Sequence, residues 1–241
     1  MIQIISYTGS DRNNRAEELR RAFAACFGSH GKMPQMQKTA KGKPYFITAE
    51  DEPQIFMSIT DSGPWRMIAF SDSEIGIDLQ LCRMHGAGSE EDNWRKCMAI
   101  AKRFFHPAEY AWICGGKTPL YDSDRTGLNR EVLFNDLDRS GTDGEAFSND
   151  EEKCIRVQIR RFFRIWTARE AYVKFTGNGF DGSFSSFDVL HDFPELRFDY
   201  PETYEGNMLC VCHRNAEPIA LKELPVPVNV STAVPSSDKR I

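Results

Sequence analysis

A long polar stretch divides this chain and limits what it can fold into. Residues 115–153 are rich in Gly, Asp, Ser, Thr and Asn, and their apolar content is concentrated in a brief run at 132–134. A stretch with so little apolar surface cannot form a packed core, so we predict a long exposed insertion that is partly disordered. The fold must therefore be built from the segments on either side of it.

Those segments alternate between strand and helix patterns. Strands are predicted at the N-terminus, 55–60, 66–70, 74–81, 183–189, 196–200 and 207–213. Helices are predicted at 16–27, at 93–113 with a break at His106-Pro107, and directly after the insertion. Because the order lacks a regular strand–helix–strand rhythm, the sequence favours an α+β fold over a doubly wound sheet.

Charge and composition exclude several classes of protein. The 241 residues include 30 Lys and Arg against 35 Asp and Glu, a net charge of −5, whereas a general nucleic-acid binder needs a dominant basic face. No run approaches the ~18 apolar residues of a membrane span, and the N-terminus lacks the pattern of a signal peptide. The odd number and scattered spacing of the cysteines indicate reduced thiols. We expect a cytoplasmic protein that binds neither nucleic acid nor membranes.

The strand predicted at 74–81 carries the first candidate site. Side chains alternate along a strand, so Gly76, Asp78 and Gln80 project to the same face. Carboxylate and amide oxygens suit a hard cation such as Mg²⁺, and a glycine leaves room for a ligand to approach. The alternative is an ordinary strand end with exposed polar residues.

The helix after the insertion carries the second candidate site. Glu170 and Lys174 are i,i+4 neighbours, and a turn containing Gly177 and Gly179 follows. Arginines gather nearby, at positions 156, 160, 161, 164 and 169. This combination suits a polyanionic substrate, with Glu170 available as a metal ligand or base. The alternative is a capping box at Thr167 and an ordinary surface ion pair.

Taken together, these motifs resemble the 4′-phosphopantetheinyl transferase superfamily, in its larger monomeric type that activates surfactin synthetase and related enzymes. The resemblance covers roughly residues 40–215 and rests on the order and spacing of several short motifs. These are Gly42-Lys43-Pro44, Ser62-Gly63-x-Trp65, Ile75-Gly76-Ile77-Asp78, Arg103-Phe104-Phe105, and Trp166 to Lys174 followed by Gly177-x-Gly179.

The resemblance implies a fold as well as an activity. We expect a pseudo-dimer of two similar α+β halves with the active site in the cleft between them. Residues 1–73 would form a shortened N-terminal half, residues 74–225 a C-terminal half with the catalytic motifs and the insertion, and residues 226–241 a tail. The protein would act as a monomer.

The implied activity is that of a holo-[acyl-carrier-protein] synthase. Such an enzyme transfers 4′-phosphopantetheine from coenzyme A to a serine of an acyl or peptidyl carrier protein and releases 3′,5′-ADP. By resemblance, Asp78 and Glu170 are ligands of Mg²⁺ under the pyrophosphate of coenzyme A, and Gln80 takes the position of a third, acidic ligand. Glu170 is also the expected general base.

The resemblance further assigns the cations that would contact coenzyme A. Lys174 and Arg169 resemble the residues that meet its phosphates, and Lys43 resembles a contact to its 3′-phosphate. Carrier proteins are acidic, so the arginines at 156–169 and neighbours such as Phe162 could form a docking face. Equally, this could be a solvated helix face with the phenylalanines in the core.

Three departures from the family keep other functions open. Gln80 is neutral, which weakens a Mg²⁺ site, and Asp61 stands where the family usually has a histidine near the 3′-phosphate. In addition, only about 40 residues precede Gly42. The alternative is a non-catalytic relative that binds coenzyme A or carrier proteins, and a different Mg²⁺ phosphotransferase is a third. A stretch at 136–147 resembles an EF-hand loop, but Phe147 occupies the place of its essential glutamate, so calcium binding is not favoured.

Overall fold

The computed structural model describes residues 1–9, 13–28, 32–115, 150–179, 185–204, 206–214 and 218–227. Most of the predicted insertion, most of the tail and the whole EF-hand-like stretch lie outside these residues.

The described residues form nine strands and four helices. The strands are β1 (Ile2–Thr8), β2 (Gln35–Lys38), β3 (Pro44–Ile47), β4 (Phe56–Ser62), β5 (Trp65–Ser71), β6 (Ile75–Leu81), β7 (Arg197–Asp199), β8 (Asn207–His213) and β9 (Ile219–Glu223). The helices are α1 (Arg15–Phe27), α2 (Glu90–Phe104), α3 (Pro107–Ile113) and α4 (Asp150–Thr176). The predicted mixed α+β class is confirmed.

One sheet has four strands in the order β4-β5-β1-β9, with α1 against one face. Strand β1 is antiparallel to β5 and parallel to β9, which comes from the far end of the chain. Leu19 and Phe23 of α1 pack on Ile5 and Phe70 of the sheet. The predicted C-terminal half, 74–225, includes β9, yet β9 completes the sheet of the N-terminal segment.

A second sheet has three antiparallel strands in the order β6-β8-β7, and α4 covers one face of it, while β2 and β3 form a separate two-stranded sheet. In β8, Cys210 and Cys212 face α4, whereas Leu209 and Val211 pack toward β1 and β5 of the first sheet. Cys210 and Cys212 therefore share one face of β8, as strand alternation requires for residues two apart. All seven cysteines are free thiols.

A row of hydroxyl groups joins the edge of the four-stranded sheet to the edge of the three-stranded sheet. Ser58, Thr60 and Ser62 alternate along β4 and accept hydrogen bonds from the backbone amides of Ile77, Leu79 and Leu81 in β6. We call these three residues the hydroxyl ladder. It satisfies amides along the edge of β6 that no neighbouring strand pairs with among the described residues.

Local signals predicted most elements, and the errors concern short strands. Helices α2 and α3 are separated at the predicted His106-Pro107 break, and His106 caps α3 and forms a capping box with Glu109. The strand predicted at 183–189 is wrong in its described part, because residues 185–189 contain no strand. The β2–β3 hairpin and β9 are elements that the sequence prediction did not include.

Candidate active site

Asp78 lies on β6 with its side chain toward α4. The apolar residues Ile75, Ile77 and Leu79 alternate with it and fill the space between the sheets. A methyl group at Gly76 would stand 1.9 Å from the carbonyl oxygen of Ala171 and 2.4 Å from the amide nitrogen of Phe175. The space beside Gly76 is therefore occupied by the backbone of α4. Our expectation that this glycine admits a ligand is wrong, since it admits the helix that carries Glu170 and Lys174.

The carboxylate of Asp78 is held by donors from three elements. Lys174 Nζ lies 2.7 Å from Oδ1, and Thr60 Oγ1 donates to the same oxygen at 3.2 Å. The amide nitrogen of Gln80 donates to Oδ2 at 3.3 Å. Burial raises the pKa of Asp78, and the ammonium group of Lys174 opposes that rise. The predicted group of Asp78, Gln80 and Lys174 is thus assembled in one place.

Glu170 lies one helical turn before Lys174 and belongs to the same cluster. Its pKa is raised from 4.5 to about 7 by burial first and by the negative charge of Asp78 second, while Lys174 opposes the rise. Two carboxylates against one ammonium group leave this cluster with excess negative charge when both are ionised. The arrangement can therefore attract a cation, or it can hold a proton on Glu170 near neutral pH.

The donor set contains two carboxylates and one amide. Within the described residues, no three His, Cys, Asp or Glu side chains are grouped so that they could hold a metal ion. Asp78 and Glu170 nevertheless fit Mg²⁺, which commonly uses one or two carboxylates and takes its remaining ligands from phosphates and water. Gln80 would have to present its oxygen, or a water held by it, to take part.

Lys43 lies at the C-terminal end of α4. Its Nζ donates to the carbonyl oxygen of Phe175 at 2.5 Å and forms an ion pair with Glu74. Its side chain packs so closely on Gly177 (φ +69°) that a methyl group there would lie 2.7 Å from its Cδ. The Gly-x-Gly turn therefore sits beside Lys43, and Lys43 itself complements the exposed carbonyl groups of the helix end.

Arg169 does not join the cluster. The exposed fraction of its side chain is 0%, and its guanidinium group pairs with Glu109, which is also 0% exposed. The same group donates to the carbonyl oxygen of Phe187 at 3.1 Å and stacks over the ring of Phe187. With no exposed surface, Arg169 cannot contact a bound phosphate in this conformation. The structure thus places Arg169 in a buried ion pair with Glu109 and not beside Asp78, Glu170 and Lys174.

Of the two interpretations of the arginine-rich segment at 156–169, the structure agrees with the one that places the phenylalanines in the core. Phe162 is fully buried and stacks on Phe105, so the phenylalanines belong to the core. Arg161 donates to the carbonyl oxygen of Trp112, and Arg164 stacks over the ring of Tyr200. Of the group, Arg156 and Arg160 have exposed side chains, and Arg156 forms an ion pair with Glu90.

Asp61 is compensated by arginines. Its carboxylate lies 3.3 Å from the guanidinium group of Arg66 and 3.3 Å from that of Arg15. Lys43 is not the compensating charge, because it pairs with Glu74. The negative charge of Asp61 is therefore offset without help from the loop at 39–43.

Thr60 is a site residue that the sequence argument missed. It contacts Asp78 directly, although the two residues belong to different sheets. The available signal was the alternation of Ser58, Thr60 and Ser62, which puts three hydroxyl groups on one face of a strand. That pattern shows where the hydroxyls point, but not which strand they meet.

Comparisons with known proteins agree with the motif assignment. Residues 136–216 match the family model of the 4′-phosphopantetheinyl transferase superfamily, a range that contains Glu170 and Lys174 but not Asp78. The chain is similar to the 4′-phosphopantetheinyl transferase gsp of Aneurinibacillus migulanus, at 24% identity over 151 residues, 63% of this chain and 41% of the relative. It is also similar to the 4′-phosphopantetheinyl transferase Sfp of Bacillus subtilis (strain 168), at 24% identity over 155 residues, 64% of this chain and 48% of the relative.

A further 4′-phosphopantetheinyl transferase from Bacillus subtilis is 25% identical over 165 residues, which are 68% of this chain and 51% of the relative. The chain spans about half the length of the curated relatives it matches. The predicted resemblance to this superfamily is confirmed. Among the described helices, none is long and apolar enough to cross a membrane.

Proposed function

We propose that this chain transfers 4′-phosphopantetheine from coenzyme A to a serine of an acyl or peptidyl carrier protein, with Mg²⁺, giving the holo-carrier protein and 3′,5′-ADP. The observation that carries the proposal is the meeting of Asp78 on β6 with Glu170 and Lys174 on α4. The Ile75–Asp78 and Trp166–Lys174 motifs of the family resemblance thus contribute to one cluster. Because a single chain supplies all three residues, the proposed active form is a monomer.

Asp78 and Glu170 are the residues that we propose to hold Mg²⁺, with Gln80 contributing an amide oxygen or a bound water. The excess negative charge of the two carboxylates supports this assignment, because it is unfavourable in a buried site without a cation. The bound ion would offset the negative charge that develops on the pyrophosphate.

The side chains have separate proposed roles in the reaction. The serine hydroxyl of the carrier attacks the β-phosphorus of coenzyme A, Glu170 accepts the hydroxyl proton, and the bond from that phosphorus to the bridging oxygen breaks. Lys174, whose side chain is 30% exposed, can turn from Asp78 to the phosphates and stabilise the leaving 3′,5′-ADP. Asp78 orients the pyrophosphate through the metal site and so counts among the coenzyme A contacts.

Lys43 remains the proposed contact to the 3′-phosphate. Its position at the end of α4, the helix that carries Glu170 and Lys174, supports this role, since its Nζ lies at the carbonyl oxygen of Phe175 one residue after Lys174. To reach a phosphate, Lys43 must exchange the carboxylate of Glu74 for the ligand. This exchange replaces one anion by another and leaves the lysine compensated.

We further propose that the four-stranded and three-stranded sheets correspond to the two halves of a pseudo-dimer, with coenzyme A bound in a cleft at their junction, where Thr60 of β4 contacts Asp78 of β6. Each sheet has a helix against its outer face, and the inner faces share one apolar cluster. The four-stranded sheet includes β9, so the N-terminal half would be completed by a segment from the C-terminal end.

The test of the function is the transfer of a fluorescent pantetheine arm from labelled coenzyme A to an apo-carrier protein in the presence of Mg²⁺. Asp78→Ala and Glu170→Ala should each abolish labelling, because each removes a proposed metal ligand. Glu91→Ala, which removes an exposed carboxylate paired with Arg95 on α2, is the matched control and should label normally. Normal labelling by either of the first two variants contradicts the assigned mechanism.

A second candidate function is a binding protein for coenzyme A or carrier proteins without catalysis. The observation in its favour is the neutral side chain of Gln80, which turns its amide nitrogen toward Asp78. Mass spectrometry of carrier proteins of the fatty-acid, polyketide and peptide-synthetase types distinguishes the two functions. A gain of one phosphopantetheine arm by any of them rejects the binding-only function.

A further inference from the structure

The hydroxyl ladder has three rungs of nearly equal length. The oxygen atoms of Ser58, Thr60 and Ser62 lie 3.0, 3.1 and 3.0 Å from the amide nitrogens that they accept from in β6. As supports for the junction between the sheets, the three rungs are therefore equivalent. Any difference between them must come from what else each hydroxyl contacts.

Thr60 differs from its neighbours because its hydroxyl also donates to Oδ1 of Asp78, at 3.2 Å. A threonine hydroxyl has one proton and two lone pairs. When one lone pair accepts the Leu79 amide, the rotation of the hydroxyl is restricted, and its proton is directed to the carboxylate. The backbone amide of Leu79 in β6 thereby orients the hydroxyl of Thr60 on β4. That hydroxyl in turn holds the carboxylate of Asp78 on β6.

The second donor to Oδ1 is Lys174, and it is less constrained than Thr60. The side chain of Lys174 is 30% exposed, whereas Thr60 is buried. A flexible ammonium group that turns to a substrate phosphate leaves Oδ1. Among the described contacts of that oxygen, the Thr60 hydroxyl then remains.

We infer that Thr60 is a positioning residue, which holds the carboxylate of Asp78 in the orientation for metal and phosphate binding while Lys174 moves between Asp78 and the substrate. This inference rests on the proposed function, since it concerns the same site. By holding Oδ1, Thr60 leaves Oδ2, with the long 3.3 Å contact from Gln80, as the oxygen for a cation. It also makes the site depend on the junction of the two sheets.

The first test needs neither substrate nor metal. Urea unfolding of Thr60→Val, Asp78→Ala and the double variant forms a cycle, and a second cycle uses Ser58→Ala in place of Thr60→Val. We expect the Thr60 and Asp78 changes to be non-additive, and the Ser58 and Asp78 changes to be additive. Additivity in the Thr60 cycle, or equal coupling in both cycles, overturns the inference.

The second test separates positioning from support of the junction. Thr60→Val should lower kcat for phosphopantetheine transfer by about ten- to a hundredfold, the usual effect of removing a group that orients a metal ligand. Thr60→Ser, which keeps the hydroxyl, should restore kcat, and Ser58→Ala, which loses an equivalent rung, should keep it.

A kcat of Thr60→Val equal to that of Ser58→Ala overturns the positioning role alone. If the wild-type protein modifies none of the carriers, the proposed function is overturned and the positioning role falls with it. The unfolding cycles still report on the Thr60–Asp78 contact in that case, so the two failures are distinguishable.

Discussion

Helix α4 contributes the cations of two partly or fully buried carboxylate–cation pairs, and the environments of these two pairs differ. In the pair of Arg169 with Glu109, both side chains are 0% exposed, and Glu109 also accepts from the amides of His106 and Val189. In the pair of Lys174 with Asp78, the exposed fractions are 30% and 4%, and Glu170 adds a second carboxylate. The first pair is balanced and closed to solvent. The second has excess negative charge and a cation that solvent can reach.

The difference shows how one helix can serve architecture and chemistry together. Adjacent residues on a helix point about 100° apart, so Arg169 and Glu170 are directed to different neighbours. Arg169 ties α4 to α3 and to the segment at 187–189, which fixes the helix on the far side. Gly76 lets the helix approach β6 closely on the near side. Glu170 and Lys174 are then held against Asp78.

The largest effect that we expect comes from breaking the closed pair. Arg169→Met leaves Glu109 buried without its partner, which should lower the free energy of unfolding by about 3–5 kcal/mol. Arg95→Met, which breaks an exposed pair with Glu91, is the control and should cost under about 1 kcal/mol. Urea unfolding measures both. If Arg169→Met keeps its stability but loses transferase activity, Arg169 acts on phosphates and the contrast between the pairs is wrong.

The cluster of Asp78, Glu170 and Lys174, which we call the open cluster, should respond in the opposite way in the metal-free protein: removing one of its charges should stabilise the fold. The pKa of Glu170 is raised from 4.5 to about 7 in the folded state, so folded protein binds more protons than unfolded protein between these values. The contribution of Glu170 to the free energy of unfolding is therefore fully present below about pH 4.5. It is lost as the pH rises through about 7, which lowers the free energy of unfolding by about 3 kcal/mol.

Glu170→Gln removes this titration, so the variant should be more stable than the wild type above pH 7. The difference should disappear below pH 4.5, where the wild-type carboxyl group is protonated in both states. Unfolding free energies measured without metal across this range check the sign. A variant less stable than the wild type at pH 8 contradicts an acid-rich open cluster.

Gly76→Ala tests the close packing of the α4 backbone on β6 at Gly76. The added methyl group meets backbone atoms of Ala171 and Phe175, which cannot rotate away as a side chain can. We expect the free energy of unfolding to fall by about 1–3 kcal/mol and the proposed transferase activity to decrease, because the helix must move away from Asp78. The matched control is Gly88→Ala, where a methyl group meets nothing within 4 Å. Unchanged melting temperature and activity in Gly76→Ala would show that the helix position is not critical.

The smallest effect should come from the pair of Arg156 with Glu90. This pair adds a solvent-exposed case to the comparison of the buried and partly buried pairs. Its nitrogen–oxygen distance is 3.0 Å, yet 43% and 46% of the two side chains are exposed. Arg156→Ala should therefore change the unfolding free energy by less than about 1 kcal/mol, and added salt should reduce the difference further. If Arg156→Ala lowers the unfolding free energy as much as Arg169→Met does, the burial of an ion pair does not determine how much it contributes to stability.

Local patterns in the sequence predicted the part of the site that depends on short distances along the chain. Strand alternation placed Gly76, Asp78 and Gln80 on one face, and helical spacing placed Glu170 one turn from Lys174. The Asp188 region shows the limit of such patterns, since apolar alternation at 183–189 predicted a strand where residues 188–190 form hydrogen bonds of a turn. A short alternating run needs a partner strand, and the described residues offer none at that position.

The sequence by itself determined the mixed α+β class, the main helices and strands, and the family resemblance, because these follow from periodicity and motif spacing within one or two elements. Tertiary structure alone decided that Arg169 is buried with a residue 60 positions away, and that β9 pairs with β1. It also decided that the hydroxyl of Thr60 reaches Asp78. These contacts join distant segments, and their free energy comes from burial and pairing that exist only after the sheets have packed together.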